Sequence, residues 1–320
     1  MKFVIGFFLF IFLFVVFVWF AIARPFTFSS TGELHDIDTV VLKENVRRIS
    51  QDFFPRNSDN PQVLNQLSAY IHKQFSVYSS RVSYQEFDVS GQTYRNVIAK
   101  FGPENTPVIV VGAHYDSFAE LPGADDNASG VVGLLELGRL VSRLDLNYQL
   151  QLVAYTLEEP PFFSTQYMGS YVHASQLKDA NTNVKLMISL EMIGYFSNVK
   201  GSQHYPVSAL KAFYPTEGDF IAVIDQLNSN DALPLKSVFN SSTNIEAYSL
   251  NVPASIEGVD FSDHRNYWAF DYPAVMVTDT SFYRNQSYHT QYDTYDTLNY
   301  DKMAEVISGV FLYIKALNDN

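Results

Sequence analysis

The chain has 320 residues, of which 47% are hydrophobic and 17% are charged, so it is long and apolar enough to form a large buried core. Its formal net charge of −13 argues against nucleic acid as a partner, because phosphate binding needs a basic surface. Cysteine is absent, which excludes disulfide bonds, thiolate nucleophiles and cysteine-ligated zinc, so any metal must be held by His, Asp or Glu.

The chain begins with an apolar run over residues 3–23, between Lys2 and Arg24. About 20 such residues cross a bilayer as a helix, whereas the core of a signal peptide is usually about 7–15 residues long. The run therefore predicts a transmembrane anchor. Ala21-Ile22-Ala23 resembles a cleavage site, so a removed signal peptide is the alternative. Lys2 favours a cytoplasmic N-terminus, and we expect the rest of the chain to be extracytoplasmic, that is, periplasmic or extracellular.

After a polar tether over 24–35, we expect one domain over 36–320, since no linker, repeat or charge block interrupts it. Predicted strands and helices alternate along this domain, beginning with an amphipathic helix from Pro61. This alternation predicts an α/β fold with a mostly parallel sheet covered by helices on both faces. Strands are expected at 82–89, 94–101, 107–112, 150–156, 184–190, 220–224 and 273–278, and helices at 128–144, 165–177, 263–270 and from 301 onward.

Acidic and histidine side chains follow several predicted strands, at the edge of a parallel sheet where functional groups collect. Each has an ordinary explanation: a lone histidine is usually structural, paired aspartates cap helices, and adjacent glutamates form solvated faces. Together, however, so many carboxylates at one edge would repel one another unless cations lie among them. Oxygen and imidazole ligands without thiolate fit a hydrolytic zinc site. The set comprises His114, Asp116, Asp125, Asp126, Glu158, Glu159, Glu191 and His289.

The residues around these positions form seven short motifs. They are His114-Tyr115-Asp116-Ser117, Gly123-Ala124-Asp125-Asp126-Asn127-Ala128-Ser129-Gly130, Glu158-Glu159, Met168-Gly169-Ser170, Glu191-Met192-Ile193-Gly194-Tyr195, Ser262-Asp263-His264 and Tyr288-His289-Thr290. Together and in this order they closely resemble the zinc aminopeptidases of metallopeptidase family twenty-eight, of the aminopeptidase Y and bacterial leucyl aminopeptidase type. The resemblance runs from about residue 94 to the C-terminus and implies the three-layer α/β/α fold of zinc-dependent exopeptidases.

The resemblance also implies two zinc ions per chain, with Asp126 bridging them and a cis peptide bond between Asp126 and Asn127. The family often has aspartate where this chain has Glu191, which leaves the geometry of that zinc open. No role is assigned to the stretch 262–264. The implied ligands are His114 and Glu191 for one zinc, and Glu159 and His289 for the other, with Asp126 shared.

The implied activity is hydrolysis of the N-terminal bond of peptides that have a free N-terminus. Asp116 would orient His114, and Glu158 would act as the general base toward the attacking water. The preferred N-terminal residue stays open, although 199–205 and 237–259 are expected to contribute to the pocket walls.

Two other functions fit the same fold. A glutaminyl cyclase resembles this site but uses one zinc, and the segment from Asp279 to Leu298 looks more like the peptidases. A non-catalytic, receptor-like ectodomain loses its metal ligands, whereas this chain retains all of them together with Glu158. Asn127 lies in a glycosylation pattern, and a glycan there would be incompatible with a metal site.

Overall fold

The computed structural model describes residues 2–28 and 37–318. Most of the expected tether, together with both ends of the expected 36–320 domain, lies outside these residues. The described chain begins with helix α1 (Lys2–Ala23), whose segment Ile5–Ala23 is long and apolar enough to cross a membrane, with a mean hydropathy of 3.0. Most large apolar side chains over residues 3–17 of this helix are exposed, because the segment has no polar face.

Within the described residues, one mixed sheet contains eight strands: β1 (Val82–Val89), β2 (Gln92–Phe101), β3 (Val108–His114), β4 (Gln149–Tyr155), β5 (Val184–Glu191), β6 (Ile221–Asp225), β7 (Ala247–Asn251) and β8 (Ala274–Thr278). Their order in the sheet is β1-β2-β4-β3-β5-β8-β6-β7. The central neighbours β4, β3, β5 and β8 run parallel, whereas β1, β2 and the β6–β7 pair join through antiparallel contacts.

Helices cover both faces of the sheet, which confirms the predicted α/β/α layering. The helices are α2 (Thr39–Arg47), α3 (Pro61–Phe75), α4 (Gly130–Val141), α5 (Gly169–Asp179), α6 (Ala232–Ser242), α7 (His264–Ala269) and α8 (Tyr300–Asn318). Alternate residues of β3 point to opposite layers: Ile109 and Val111 join the core under α2, α3, α4, α6 and α8, while Val108 and Val110 join the core under α5 and α7.

Two helices begin later than the sequence predicts. The segment 124–129 forms an irregular turn, so α4 starts at Gly130, and 165–168 form turns, so α5 starts at Gly169. The irregular turn contains the expected cis peptide bond between Asp126 and Asn127. Helices α2 and α6 and strand β7 were not predicted.

Candidate active site

The sheet brings the five predicted ligands to one edge. His114 is the last residue of β3 and Glu191 the last residue of β5, while Glu159 lies in the turn after β4. Asp126 comes from the irregular turn before α4, and His289 comes from the loop after β8. The carboxyl ends of parallel strands meet at one edge, so side chains far apart in sequence become neighbours.

These side chains form two groups that share Asp126. In the first group, His114 Nε2 lies 3.4 Å from Asp126 Oδ1 and 3.4 Å from Glu191 Oε2. In the second, His289 Nε2 lies 3.1 Å from Asp126 Oδ2 and 3.3 Å from Glu159 Oε2. Within each group the candidate ligand atoms lie within 4.8 Å of one another. One oxygen of Asp126 therefore serves each group.

The imidazole nitrogens approach these carboxylates closely but are not aligned for hydrogen bonds. Among the described residues, His114 Nε2, His289 Nε2 and Glu159 Oε1 are buried without a hydrogen-bond partner. Buried polar atoms in native structures are normally paired, and unpaired ones often mark an ion site. Converging imidazole nitrogens and carboxylate oxygens are ligands that zinc uses, so the residues present fit zinc in both groups.

Burial and mutual repulsion perturb the pKa values of the carboxyl groups at this site. Burial raises the pKa of Glu158 well above its ordinary value, and the neighbouring charge of Glu159 adds to the rise. Burial, followed by repulsion from Asp126, raises the pKa of Glu159 to about 8. Burial alone would raise the pKa of Asp126 as well. The contacts of its carboxylate with His114 and His289 outweigh burial, so the pKa of Asp126 is lowered. Bound dications would favour the ionised form of all three groups.

Asp116 connects one ligand group to the predicted base. Its Oδ1 accepts a hydrogen bond from the backbone N–H of Glu158 at 3.2 Å, and its Oδ2 accepts one from Glu159 at 3.0 Å. Asp116 Oδ1 also lies 3.6 Å from His114 Nδ1. One buried carboxylate thus holds the turn after β4 through two hydrogen bonds and also lies beside the histidine at the end of β3.

Ser262 holds the longer glutamate that stands where the family often has aspartate. Its hydroxyl donates a 2.7 Å hydrogen bond to Glu191 Oε2, and it is itself 2.8 Å from the hydroxyl of Ser189. The same Glu191 oxygen reaches His114, so the extra methylene still allows the carboxylate to join the first group. His264, two residues beyond Ser262, bonds the carbonyl of Val259 instead.

Two buried side chains that the sequence did not single out hold the turn carrying Asp126. The Asp293 carboxylate accepts hydrogen bonds from the backbone N–H groups of Asp125, at 2.9 Å, and Asp126, at 3.1 Å. The guanidinium of Arg56 donates to the carbonyls of four residues around this turn. They are Tyr115, Pro122, Gly123 and Asp126.

Asn127 reinforces the turn from inside the protein. Its amide donates to the Leu190 carbonyl at 2.8 Å, and its carbonyl oxygen accepts from the backbone N–H groups of Gly130 and Met192, both at 3.1 Å. The side chain is fully buried, so it cannot carry a glycan in the folded protein. The Asn127 amide therefore ties the Asp126 turn to the end of β5.

A cavity of about 280 Å³ opens beside the two groups. Asp126, Glu158, Glu159, Glu191 and His289 lie at its polar end. Its walls are mostly apolar and aromatic and include parts of the two segments expected to contribute, namely 203–205 from the first and 248–250 and 257–259 from the second. Wall residues are Phe163, Tyr205, Tyr214, Phe220, Ala222, Ile224, Tyr248, Leu250, Val259, Phe261, Met276 and Phe282.

Solved structures share this fold over most of its length. The zinc aminopeptidase BSAP from Bacillus subtilis superposes with a TM-score of 0.70, at 12% sequence identity, covering 88% of this chain and 95% of that one. A glutaminyl cyclase from Fimbriiglobus ruber superposes with a TM-score of 0.64, at 18% identity, covering 89% and 97%. At such low identities the likeness shows the fold alone.

Sequence relatives give the family. The chain is 48% identical to YfbL of Escherichia coli (strain K12) over 278 residues, which is 84% of this chain and 85% of that protein. It is 26% identical over 224 residues to leucine aminopeptidase 1 of Paracoccidioides brasiliensis (strain Pb03), covering 66% of this chain and 52% of the relative, or about half of the relative's length. Residues 96–314 match the model of Peptidase family M28, and the chain belongs to that family of peptidases.

Proposed function

We propose that this chain is a membrane-anchored, zinc-dependent aminopeptidase that removes the N-terminal residue from peptides. One observation carries the proposal: two candidate ligand groups share Asp126 at the polar end of an apolar cavity, with Glu158 beside them. Membership of a peptidase family and similarity to a leucine aminopeptidase support it.

Two zinc ions are proposed, one held by His114, Asp126 and Glu191 and the other by Asp126, Glu159 and His289. When bound, they would polarise the scissile carbonyl and lower the pKa of a water molecule toward neutrality. The chain's own residues would set the positions of these ligands: Asp116 beside His114, and Ser262 on Glu191.

Glu158 is the proposed general base. Its Oε2 lies 3.9 Å from His114 Nε2, outside both ligand groups, and its side chain faces the cavity where a substrate carbonyl would enter. Its carboxylate would accept a proton from water as the water oxygen attacks the carbonyl carbon. The same carboxyl group would then deliver that proton to the amine nitrogen as the C–N bond breaks.

The cavity also supports a substrate class. Carboxylates at its polar end would attract the free amine of a peptide N-terminus, which favours an exopeptidase over an endopeptidase. The wall beyond them is built from aromatic and branched side chains such as Phe220, Tyr248 and Met276, so it would bind a large apolar N-terminal side chain such as leucine or phenylalanine.

The proposed location of the protein in the cell rests on helix α1. We propose that this helix stays in the chain as an anchor and that the domain carrying the site lies outside the cytoplasm. The length and hydropathy of Ile5–Ala23 support a membrane span, and Lys2 at the short end favours a cytoplasmic N-terminus. Retention of the full chain in the membrane fraction after alkaline carbonate washing would test the anchor, and an N-terminus found at Arg24 would contradict it.

The activity can be tested on the full-length protein in detergent. We expect close to two zinc ions per chain by elemental analysis, hydrolysis of leucine and phenylalanine arylamides, and loss of activity with a chelator. N-acetylated leucine arylamide is the control and should not be hydrolysed. One tightly bound zinc together with cyclisation of N-terminal glutamine would instead identify a glutaminyl cyclase, and no turnover of any of these substrates would indicate a receptor-like protein.

A further inference from the structure

The stretch Ile22–Phe28, which we call the connector, lies against the peptidase fold. The end of α1 packs on β7, the last strand of the sheet, and β7 pairs with β6 on its other side. The hydroxyl of Ser249 in β7 donates a 2.9 Å hydrogen bond to the carbonyl of Ala23. Residues 22–28 are thus in contact with the edge of the sheet.

Lys236 of α6 directs its ammonium group to this connector. The side chain is buried, and its Nζ donates to the carbonyls of Ala23 and Arg24 and, at 3.2 Å, to Ser249 Oγ. An ammonium has three hydrogens, so all three are engaged here. Burial lowers the pKa of this amine to about 8.

Three further contacts extend along the connector. The Arg24 guanidinium donates to the carbonyls of Leu227 and Ser229, both at 3.3 Å, in the loop after β6. The backbone N–H of Phe28 donates to Ser237 Oγ at 3.1 Å. Ile22 packs on the apolar cluster that contains Phe220, Ile224 and Met276, and these residues also form the cavity wall.

From these contacts we infer that the connector holds the β6–β7 end of the fold, and the apolar part of the cavity with it, against the surface of a lipid bilayer. The inference rests on the proposed anchoring role of α1. The helix ends at Ala23, and Ile22 packs on the apolar cluster whose residues also form the cavity wall, so that wall lies near the end of the membrane span. The opposite edge, β1, lies seven strand spacings away, or roughly 33 Å.

Apolar side chains beside the connector fit a lipid partner. Phe26 is 59% exposed, Phe28 is 61% exposed, and Leu227, whose carbonyl binds Arg24, is 38% exposed. Exposed aromatic and aliphatic side chains next to a membrane span favour the interfacial region of the bilayer. An unattached domain would gain nothing from exposing them to water.

Fluorescent labels at single cysteines can measure this orientation, because the natural chain has no cysteine. Leu227→Cys places a label near the connector, and Ser83→Cys places one on β1 at the far edge of the sheet. The full-length chain would be reconstituted in phosphatidylcholine nanodiscs containing a lipid with a nitroxide on its headgroup. We expect the nitroxide to quench the Leu227 label and to leave the Ser83 label bright.

Lys236→Met removes the ammonium while keeping an unbranched side chain. It should abolish the difference in quenching between the Leu227 and Ser83 labels. Arg24→Gln, which changes only the connector side of the contact, should reduce that difference. The exposed Lys200→Met serves as the matched control and should preserve it. Quenching that is equal at both labels, or that is unaffected by Lys236→Met and Arg24→Gln, would overturn the inference.

The quenching experiment measures orientation and does not depend on catalytic activity. A protein that is extracted by carbonate, or that lacks residues 1–23 by intact mass, would refute the anchor and this inference together. A protein that stays anchored and hydrolyses arylamides, but shows no difference between the labels, would refute the orientation alone.

Discussion

The imidazole of His289 lies parallel to the ring of Phe118, with ring centroids 4.1 Å apart and planes 6° apart. It also stacks on Tyr288, at 3.8 Å. With a backbone φ of 53°, His289 sits in the left-handed region that most residues avoid. The orientation of this proposed ligand is therefore set by ring stacking, which directs its Nε2 toward Asp126 and Glu159.

Phe118→Ala should weaken the proposed zinc site of Asp126, Glu159 and His289 by removing that stacking. Loss of a group that orients a ligand typically costs about 10–100-fold in metal affinity. Competition with a chromophoric chelator would measure the two affinities separately. Phe213→Ala, at an exposed position outside the cavity wall, is the control and should leave both affinities unchanged. Equal affinities in Phe118→Ala and the wild type would show that stacking does not position His289.

Exchange of each adjacent glutamate for glutamine should separate chemistry from metal binding. Glu158→Gln keeps the side chain's size but cannot accept a proton, so turnover should fall by about 10²–10⁴-fold while zinc content stays near two. Glu159→Gln should lose one zinc, and added zinc should partly restore its activity. Turnover of leucine arylamide and the zinc content by elemental analysis, measured for both variants, show whether each glutamate acts in catalysis or in metal binding. Near-normal turnover in Glu158→Gln would rule out its role as the base.

Asp116→Asn should impair both metal binding and turnover. The backbone N–H groups of Glu158 and Glu159 bind different oxygens of the carboxylate. The amide replaces one of these oxygens with an NH₂ group, which is a donor and cannot accept from the N–H it would face. We expect zinc affinity to fall by about 10–100-fold and kcat to fall even at saturating zinc. Asp271→Asn, at an exposed position, should change neither quantity. A variant that recovers full kcat with excess zinc would limit Asp116 to metal binding.

Ala222→Leu should narrow the apolar cavity, because Ala222 in β6 forms part of its wall. The ratio of kcat/KM for phenylalanine arylamide to that for alanine arylamide should fall by about 10-fold or more, within the 10–200-fold range of a pocket changed by a methylene. Zinc content should not change. Ala212→Leu, at an exposed position outside the wall, is the matched control. An unchanged ratio would place the N-terminal side chain elsewhere.

The sequence predicted the strands best where the local pattern and the tertiary structure agree. Residues 82–89 were predicted as a strand with the bounds that β1 has, and the apolar run before His114 became the buried strand β3. Helix α2 was not predicted because its apolar residues do not lie on one face. Val40 and Val41 are exposed while Leu42 and Val46 are buried, so the sequence lacks the apolar stripe of an amphipathic helix.

The missed elements near the connector have a similar cause. Helix α6 contains Pro234 in its first turn, which is tolerated there but indicates a break when read in sequence. It also buries Lys236, a residue type that sequence patterns assign to the surface. Strand β7 has five residues with a short alternation, too few to distinguish from a loop.

The supporting residues of the site could not be inferred from spacing. Arg56 precedes the first predicted helix of the domain and Asp293 follows the last predicted strand, yet both hold the turn of Asp126 through hydrogen bonds to its backbone. Phe118 lies in a loop with no recognisable motif. Such contacts depend on how loops that are far apart in the sequence meet above the sheet. A single sequence contains no signal that predicts which loops meet.

The contact between the connector and β7 also bears on how the protein can be handled. Strand β7 is an edge strand, and edge strands with unpaired backbone groups invite pairing with other chains. A soluble fragment cut at residue 37 would lack Ile22–Phe28 and would expose the side of β7 that the end of α1 now covers. Such fragments should self-associate through this edge, and chains that keep residues 22–28 should stay dispersed at the same concentration.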